Sequence, residues 1–506
     1  MASAPPEPSA PAGGRERSSR RAIAAALEAI EALGAGRSLR LAVSAALRGS
    51  QDLGPKERRH VAVAARGVAR WLRSCDVALS LARAPECIPA DRALLRYLAL
   101  RIAVEGEPEA EVLRALALPG PRRPRALTDR ALGEVARSLP RPGPAGPASV
   151  LPDGRATRPP RDPAVALGLR YSVPDLLAER LLRALGAEEA ALCLDALDRE
   201  PRIALRVNGA RATREEVMAR LQAAGVAVEP GEDPLAIRVE DRAGLFDAPP
   251  FRQGLVLVQD EGSQAVVAAC AAQAGEAWLD LCAGSGGKAL ALASEGARVT
   301  AWDASRRRLA MLPGRARRAR LSVDVAPELP AGLYDGVLVD APCSGSGALQ
   351  REPDARWRLG LEALARLTRV QDELLDLASA RVRPGGALVY ATCSLLREEG
   401  EDRVAALLAS ECLDLELEER RWPHRHPGAG FYLARLRRPV GPCEAREEGP
   451  AVGHRATEPG PSARRGRALG RRTRGAFPPR VPFRPRGQRR ASSDRAMVLT
   501  REASAR

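Results

Sequence analysis

From about residue 251 the chain repeats one pattern: a short apolar run, a glycine-bearing turn, then a helix-like stretch. The apolar runs are 278–281, 299–302, 337–339 and 387–391, and the clearest helix between them is 361–382. Strands separated by helices pair in parallel, because each return passes through a crossover helix. The pattern therefore predicts a doubly wound parallel α/β sheet and excludes an all-helical or sandwich fold for this part. In open sheets of that kind, ligands bind beyond the carboxyl ends of the strands. Three polar motifs stand at those ends.

The first motif, Asp280-Leu-Cys-Ala-Gly-Ser-Gly-Gly-Lys288, follows a strand and opens a helix. Glycines there let the backbone approach a ligand and leave helix N–H groups aimed at it. Sixteen residues past Gly287, the next strand ends in Asp303, where an acid can accept hydrogen bonds from a ribose. A glycine turn alone is equally a tight strand–helix connection, but with Asp303 it marks a nucleoside-cofactor site. The second motif is Asp340-Ala-Pro-Cys343-Ser-Gly-Ser-Gly347 and the third is Tyr390-Ala-Thr-Cys393-Ser394. A cysteine at a strand end is usually a small residue that fits. Two of them in polar, glycine-flanked loops point to reactive thiols on one crevice.

The rest of the chain divides by composition. Residues 1–19 are rich in Pro, Ala, Ser and Gly and are expected to be disordered. Ile23, Leu27, Ile30 and Leu33 then fall on one helix face. Helical patterning continues without a strand signal, which predicts an all-helical domain over 20–118. One of its helices is basic, with Lys56, Arg58, Arg59, Arg66, Arg70 and Arg73. A Pro/Gly/Arg-rich linker over 119–165 holds one short helix at 126–138. Residues 166–250 read as a small α/β domain, with strands at 203–208 and 235–239 around a helix at 214–224. The doubly wound domain spans 251–438, and a basic tail expected to be disordered spans 439–506.

The formal charge is +16, which suits an acidic partner such as nucleic acid. Residues 440–506 carry sixteen arginines against six acids, so most of that excess lies in the tail. Lysine occurs only at Lys56 and Lys288. The nine cysteines form no C-x-x-C pair and there are four histidines, so a zinc site is not expected. A disulfide framework is not expected either in a chain this long. No apolar run reaches membrane-spanning length and no secretory signal pattern opens the chain. A cytoplasmic monomer is the expectation. His424 and His426, and Glu398, Glu399, Glu401 and Asp402, read as solvated.

The three motifs resemble the NOL1/NOP2/Sun RNA cytosine-5 methyltransferase family. Supporting segments are Val258-Gln-Asp-Glu-Gly-Ser-Gln264, Arg351-Glu-Pro-Asp-Ala-Arg-Trp357 and Gly430-Phe-Tyr-Leu-Ala-Arg435. Tyr171-Ser-Val-Pro-Asp175, Leu205-Arg-Val-Asn208 and Phe251-Arg-Gln-Gly254 resemble the small domain of the branch that acts on bacterial 16S ribosomal RNA. The helical N-terminus resembles that branch's NusB-like, RNA-binding domain. The resemblance covers roughly residues 20–438. It implies a Rossmann-like, S-adenosylmethionine-dependent enzyme that methylates carbon 5 of an RNA cytosine, with small-subunit ribosomal RNA as partner.

The resemblance implies Cys393 as nucleophile, Cys343 as the residue that assists product release, and Asp340 as the contact to ring nitrogen 3 of the base. It implies that Cys282, Ala283, Gly284, Ser285, Gly286, Gly287, Lys288, Asp303, Asp324 and Asp340 line the cofactor. Ser285 stands where the family usually has proline, which should relax the turn. Position alone does not choose between the thiols. DNA cytosine methyltransferases attack with the cysteine of the Pro-Cys motif, here Cys343, but need a Glu-Asn-Val motif. The single asparagine, Asn208, lies in Val-Asn-Gly. A non-catalytic RNA-binding assembly factor is the other alternative.

Overall fold

The computed structural model describes residues 12–84, 88–116, 129–143, 146–158 and 160–441. Its largest sheet has seven strands: β1 Ala277–Asp280, β2 Arg298–Ala301, β3 Asp324–Val325, β4 Tyr334–Asp340, β5 Val382–Thr392, β6 Asp414–Arg421 and β7 Phe431–Arg437. Their order is β6-β7-β5-β4-β1-β2-β3. Strands β1 to β5 are parallel, and β7 runs antiparallel between β5 and β6. The chain winds outward from β1 through β2 to β3, then restarts on the other side with β4. That reversal opens a crevice beyond the ends of β1 and β4.

Successive side chains of a strand face opposite ways. Trp278, Leu338, Val389 and Leu433 join the core formed with the helices Glu261–Cys270, Gly287–Ser294 and Leu312–Ala319. Leu279, Val337, Leu388, Tyr390 and Tyr432 join the opposite core, with the helices Leu361–Ser379 and Glu401–Ser410. Covering both faces is what makes these strands read as continuous apolar runs. Helix Leu361–Ser379 stops before β5, which already starts at Val382 and carries Pro384-Gly-Gly within it.

A four-stranded antiparallel sheet precedes the large one. Its order is Val228–Pro230, Ala236–Val239, Ile203–Val207, Val256–Val258, and the helix Arg214–Ala223 covers it. Two of these strands, Val228–Pro230 and Val256–Val258, escaped the sequence reading, being only three residues each. Val256–Val258 pairs with Ile203–Val207, although it lies beyond the 251 boundary. The helices Pro163–Arg170 and Asp175–Asp198, grouped by sequence with the small sheet, instead pack through Val173, Leu177, Leu181 and Leu194 on Leu349, Leu364 and Leu395 of the large domain.

The N-terminal region is helical, from Ala12–Gly34 through Glu109–Leu116, around a core rich in alanine. The first helix starts inside the 1–19 stretch expected to be disordered, and residues 1–11 lie outside the described residues. Within the 119–165 stretch stand the helix Asp129–Ser138 and a hairpin of Arg141–Gly143 with Gly146–Val150. The basic tail lies outside the described residues from 442 onward.

The basic helix is Pro55–Leu81, and its arginines have structural partners. Arg66 donates to the carbonyls of Gln350 and Arg351. Arg73 pairs with Asp175 at 2.6 Å, and Arg70 lies 3.9 Å from Asp198. Arg58 caps the Leu53 and Gln51 carbonyls. Of the six basic residues, Lys56 and Arg59 remain exposed.

Candidate active site

The glycine turn after β1 is built as the motif requires. Gly284 and Gly286 take positive φ, 56° and 81°. Gly286 immediately precedes the helix Gly287–Ser294, and a Cβ there would collide with the Leu312 side chain. Any other residue type there would be strained by the positive φ and would have to displace the Leu312 side chain. Asp303, 6% exposed, accepts from the Gly284 and Ser305 N–H groups, both at 2.7 Å. It thus ties the end of β2 to the turn. Ser285, where a proline was expected to be missed, is held by Arg315, whose Nη1 donates to its carbonyl at 2.7 Å and its hydroxyl at 2.9 Å. The brace supplies stiffness that proline would have given covalently.

Asp280 closes β1 with its side chain buried at 1% exposure. Neither carboxylate oxygen makes a well-aligned hydrogen bond. Burial first, then the nearby Asp340 and Asp303 charges, push its pKa up to about 7 against the opposing pull of Lys288 and the Cys282 N–H. The sequence reading quoted Asp280 as part of the motif but gave it no role. Lys288 projects from the first turn of the helix to Asp340 at the end of β4, Nζ to Oδ2 2.6 Å, with Ser263 Oγ at 3.4 Å and the Phe431 ring at 5.5 Å. Burial pulls the Lys288 pKa down, but Asp340, Asp280 and Cys393 outweigh it and the net shift is upward. Asp324 is exposed on edge strand β3, in register with Thr300.

The two motif cysteines meet. Parallel pairing of β4 with β5 sets Asp340 beside Ala391, so the loops that follow emerge side by side. Cys343 Sγ lies 3.4 Å from Cys393 Sγ, and both thiols are partly exposed. The hydrogen bond with Cys393, then burial, raise the Cys343 pKa well above the usual thiol value. Cys75, Cys193 and Cys270 are buried structural thiols. Cys412 is disulfide-bonded, a bridge that the sequence reading did not expect.

Two residues dismissed as solvated are not. Glu399 is 0% exposed. Its carboxylate accepts from Ser344 N, Ser394 Oγ and Gln371 Nε2 at 2.8, 2.6 and 3.1 Å. His424 is 8% exposed and pairs with Glu189 at 2.7 Å. Among the described residues, no group of three or more His, Cys, Asp or Glu is placed to hold a metal ion, and no helix is long and apolar enough to cross a membrane.

Residues 267–437 match the family model described as 16S rRNA methyltransferase RsmB/F, and residues 173–244 match that of an RsmF/B-like, ferredoxin-like domain. Curated relatives named Ribosomal RNA small subunit methyltransferase B include that of Serratia proteamaculans, 34% identical over 287 residues, covering 53% of this chain and 66% of the relative. That of Salmonella arizonae is 36% identical over 287 residues, with the same shares of 53% and 66%. The chain therefore spans just under two thirds of the length of these relatives. Among solved structures, the crystal structure of PH0851 superposes over 85% of this chain and 100% of its own, with a TM-score of 0.63 at 24% identity. That likeness shows a shared fold.

Proposed function

We infer the function from the premise that residues 173–437 belong to the RsmB/F methyltransferase family: the protein transfers a methyl group from S-adenosylmethionine to carbon 5 of a cytosine in small-subunit ribosomal RNA, through a covalent Cys393 adduct. One observation carries this reading. Two thiols stand 3.4 Å apart at the ends of adjacent strands, beside a glycine turn and a buried acid without a partner.

The cofactor supplies an electrophilic methyl group on a sulfonium, and it also presents an ammonium and a ribose. The residues present fit these groups. Asp280 offers a buried carboxylate suited to an ammonium. Asp303, already bonded to the turn, keeps lone pairs for ribose hydroxyls. On this reading Cys282, Ala283, Gly284, Ser285, Gly286 and Gly287 would form the backbone cradle, and Asp324, exposed on edge strand β3, would meet the adenine.

Carbon 5 of cytosine is a poor nucleophile. Addition of the Cys393 thiolate to carbon 6 moves an electron pair toward carbon 5, which then takes the methyl group. Loss of the carbon 5 proton restores the double bond and expels the thiolate, and Cys343 is close enough to assist. Asp340 contacts ring nitrogen 3. Its pairing with Lys288 at 2.6 Å brings an ammonium close enough to offset negative charge developing on the ring. The helical region is the NusB-like RNA-binding part on this reading, with Lys56 and Arg59 free to meet phosphate.

Asp280 gives the cofactor step a pH dependence. Below pH of about 7 the free protein holds Asp280 protonated, and an incoming ammonium must displace that proton. Cofactor affinity is expected to fall by up to about tenfold per pH unit on the acid side, and Asp280→Asn should weaken binding and flatten that slope. Calorimetric titration with S-adenosylmethionine between about pH 5.5 and about pH 8, on both sides of the Asp280 pKa, checks this. A flat wild-type profile removes Asp280 from the cofactor site.

The function itself is tested by incubating the chain with labelled S-adenosylmethionine and unmodified small-subunit ribosomal RNA, then identifying the labelled nucleoside by mass spectrometry. The expected product is 5-methylcytidine. RNA binding without methyl transfer would turn the reading to a non-catalytic assembly factor, and transfer to duplex DNA alone would turn it to a DNA enzyme.

A further inference from the structure

Glu399 is a buried carboxylate for which the proposed methyl transfer has no direct use. It forms no salt bridge among the described residues, and burial raises its pKa although three hydrogen bonds, from Ser344, Ser394 and Gln371, oppose the rise. An unpaired buried acid is costly. Its partners explain its place. Ser344 follows Cys343 and Ser394 follows Cys393, so the one carboxylate holds the residue after each thiol. Gln371, which also donates to Glu399, donates to the Pro342 carbonyl on the other side of Cys343 at 2.9 Å. The Glu399 carbonyl accepts from Tyr390 and Thr392 of β5, at 2.9 and 3.2 Å, which anchors it to the strand that carries Cys393. The hydroxyls of Ser344, Ser346 and Ser394 interlock at 3.2 to 3.3 Å between the loops.

We propose that Glu399 is a positioning residue that clamps the two thiol loops together and makes the thiols unequal, because its carboxylate accepts from the backbone N–H beside Cys343 but only from a side-chain hydroxyl beside Cys393. The inference rests on the methyl-transfer reading, in which one thiol attacks and its neighbour serves product release. The other groups around the pair are few. Lys288 with Asp340, and Asp280, lie on the cofactor side. Tyr390 lies on β5. Arg403 is paired with Asp372 at 2.6 Å, and Arg420, paired with Glu401, donates to the Ser394 carbonyl at 2.8 Å. The nearest cations on the Cys343 side are thus engaged elsewhere. The negative field of Glu399 adds to the Cys393 hydrogen bond and burial in holding the Cys343 proton. Lys288 and Cys393 interact electrostatically across the crevice. A difference between neighbouring thiols then follows from how closely the carboxylate holds each one's loop.

The test labels the full chain with iodoacetamide across a pH series, without RNA or cofactor, and maps Cys343 and Cys393 by mass spectrometry. In the wild type, Cys393 is expected to react about tenfold faster than Cys343 at neutral pH, because the Cys343 proton is the one held more tightly. Equal rates, or a faster Cys343, overturn the inference whatever any variant does. In Glu399→Gln the midpoint for Cys343 is expected to move down and the gap to narrow, and kcat for methyl transfer to fall with the KM for RNA unchanged. An unchanged gap in a folded Glu399→Gln protein overturns it, even if methylation is lost. The labelling ratio needs no turnover, so the inference survives a wild type that methylates nothing, and that outcome sinks only the methyl-transfer reading.

Discussion

Cys393→Ala is expected to abolish both methyl transfer and the covalent protein–RNA adduct, while Cys343→Ala is expected to accumulate that adduct. The two thiols are 3.4 Å apart on adjacent loops, so either could reach the same ring carbon. Geometry does not distinguish them, and the proposed reading gives the attack to Cys393. The hydrogen bond to Cys393, burial and Glu399 raise the pKa of Cys343, which suits it to the second role. Without its nucleophile the enzyme loses the step that makes carbon 5 reactive, a loss of roughly four orders of magnitude or more in kcat. Without Cys343 the addition still occurs and release stalls. The measurement is denaturing electrophoresis of each variant after incubation with labelled S-adenosylmethionine and small-subunit ribosomal RNA. A slow-migrating labelled band is expected from Cys343→Ala and none from Cys393→Ala. The reverse pattern would assign the attack to Cys343.

The crevice was legible in the sequence because its parts lie at predictable points of a parallel sheet. A glycine turn, an acid at the next strand end and two loop cysteines are each short and local, and the β4–β5 register brings the last two together. What was not legible depends on partners far along the chain. Glu399 sits in Glu-Glu-Gly-Glu-Asp, a run that looks solvated, yet Ser344 and Gln371 fold over it. Arg66, Arg70 and Arg73 marked a basic helix in the sequence, but their acceptors are residues 350–351, Asp198 and Asp175. The three-residue strand Val256–Val258 has too little pattern to name its sheet. Asp280 could have been suspected, since an acid that ends a buried strand just before a glycine turn has no water to satisfy it.

Arg356→Met is expected to cost about 3–5 kcal/mol of stability, the range for breaking a buried ion pair by removing one partner. The reason begins in the helix Pro55–Leu81, which is kinked at Trp71, φ −105° and ψ 24°. At the kink the N–H groups of Arg73 and Ser74 turn to Ser172 Oγ, at 3.1 and 3.3 Å. In a regular helix those N–H groups would bond the carbonyls four residues earlier, of Ala69 and Arg70. Both carbonyls are instead taken by the large domain. Trp357 Nε1 donates to Ala69 at 2.6 Å and Arg356 Nη1 to Arg70 at 3.1 Å. Arg356 also donates to the Tyr171 and Ser172 carbonyls, both at 3.1 Å, and pairs with Asp198 at 3.2 Å, with its side chain at 0% exposure. Methionine keeps much of the stem's volume but leaves three buried carbonyls and a buried carboxylate short of a donor. Lysine is expected to rescue little, because a point charge cannot fork to four acceptors. The measurement is denaturant unfolding followed by helix signal and by tryptophan fluorescence, with limited proteolysis of the folded state. Loss of stability together with new cleavage near residues 160–175 is the expected pattern, since the kinked helix would then be released from the segment that carries Ser172. A change below about 1 kcal/mol, within the range of ordinary surface substitutions, would show that the remaining contacts of Trp357, Arg66, Arg73 and Ser172 hold the kink without the arginine.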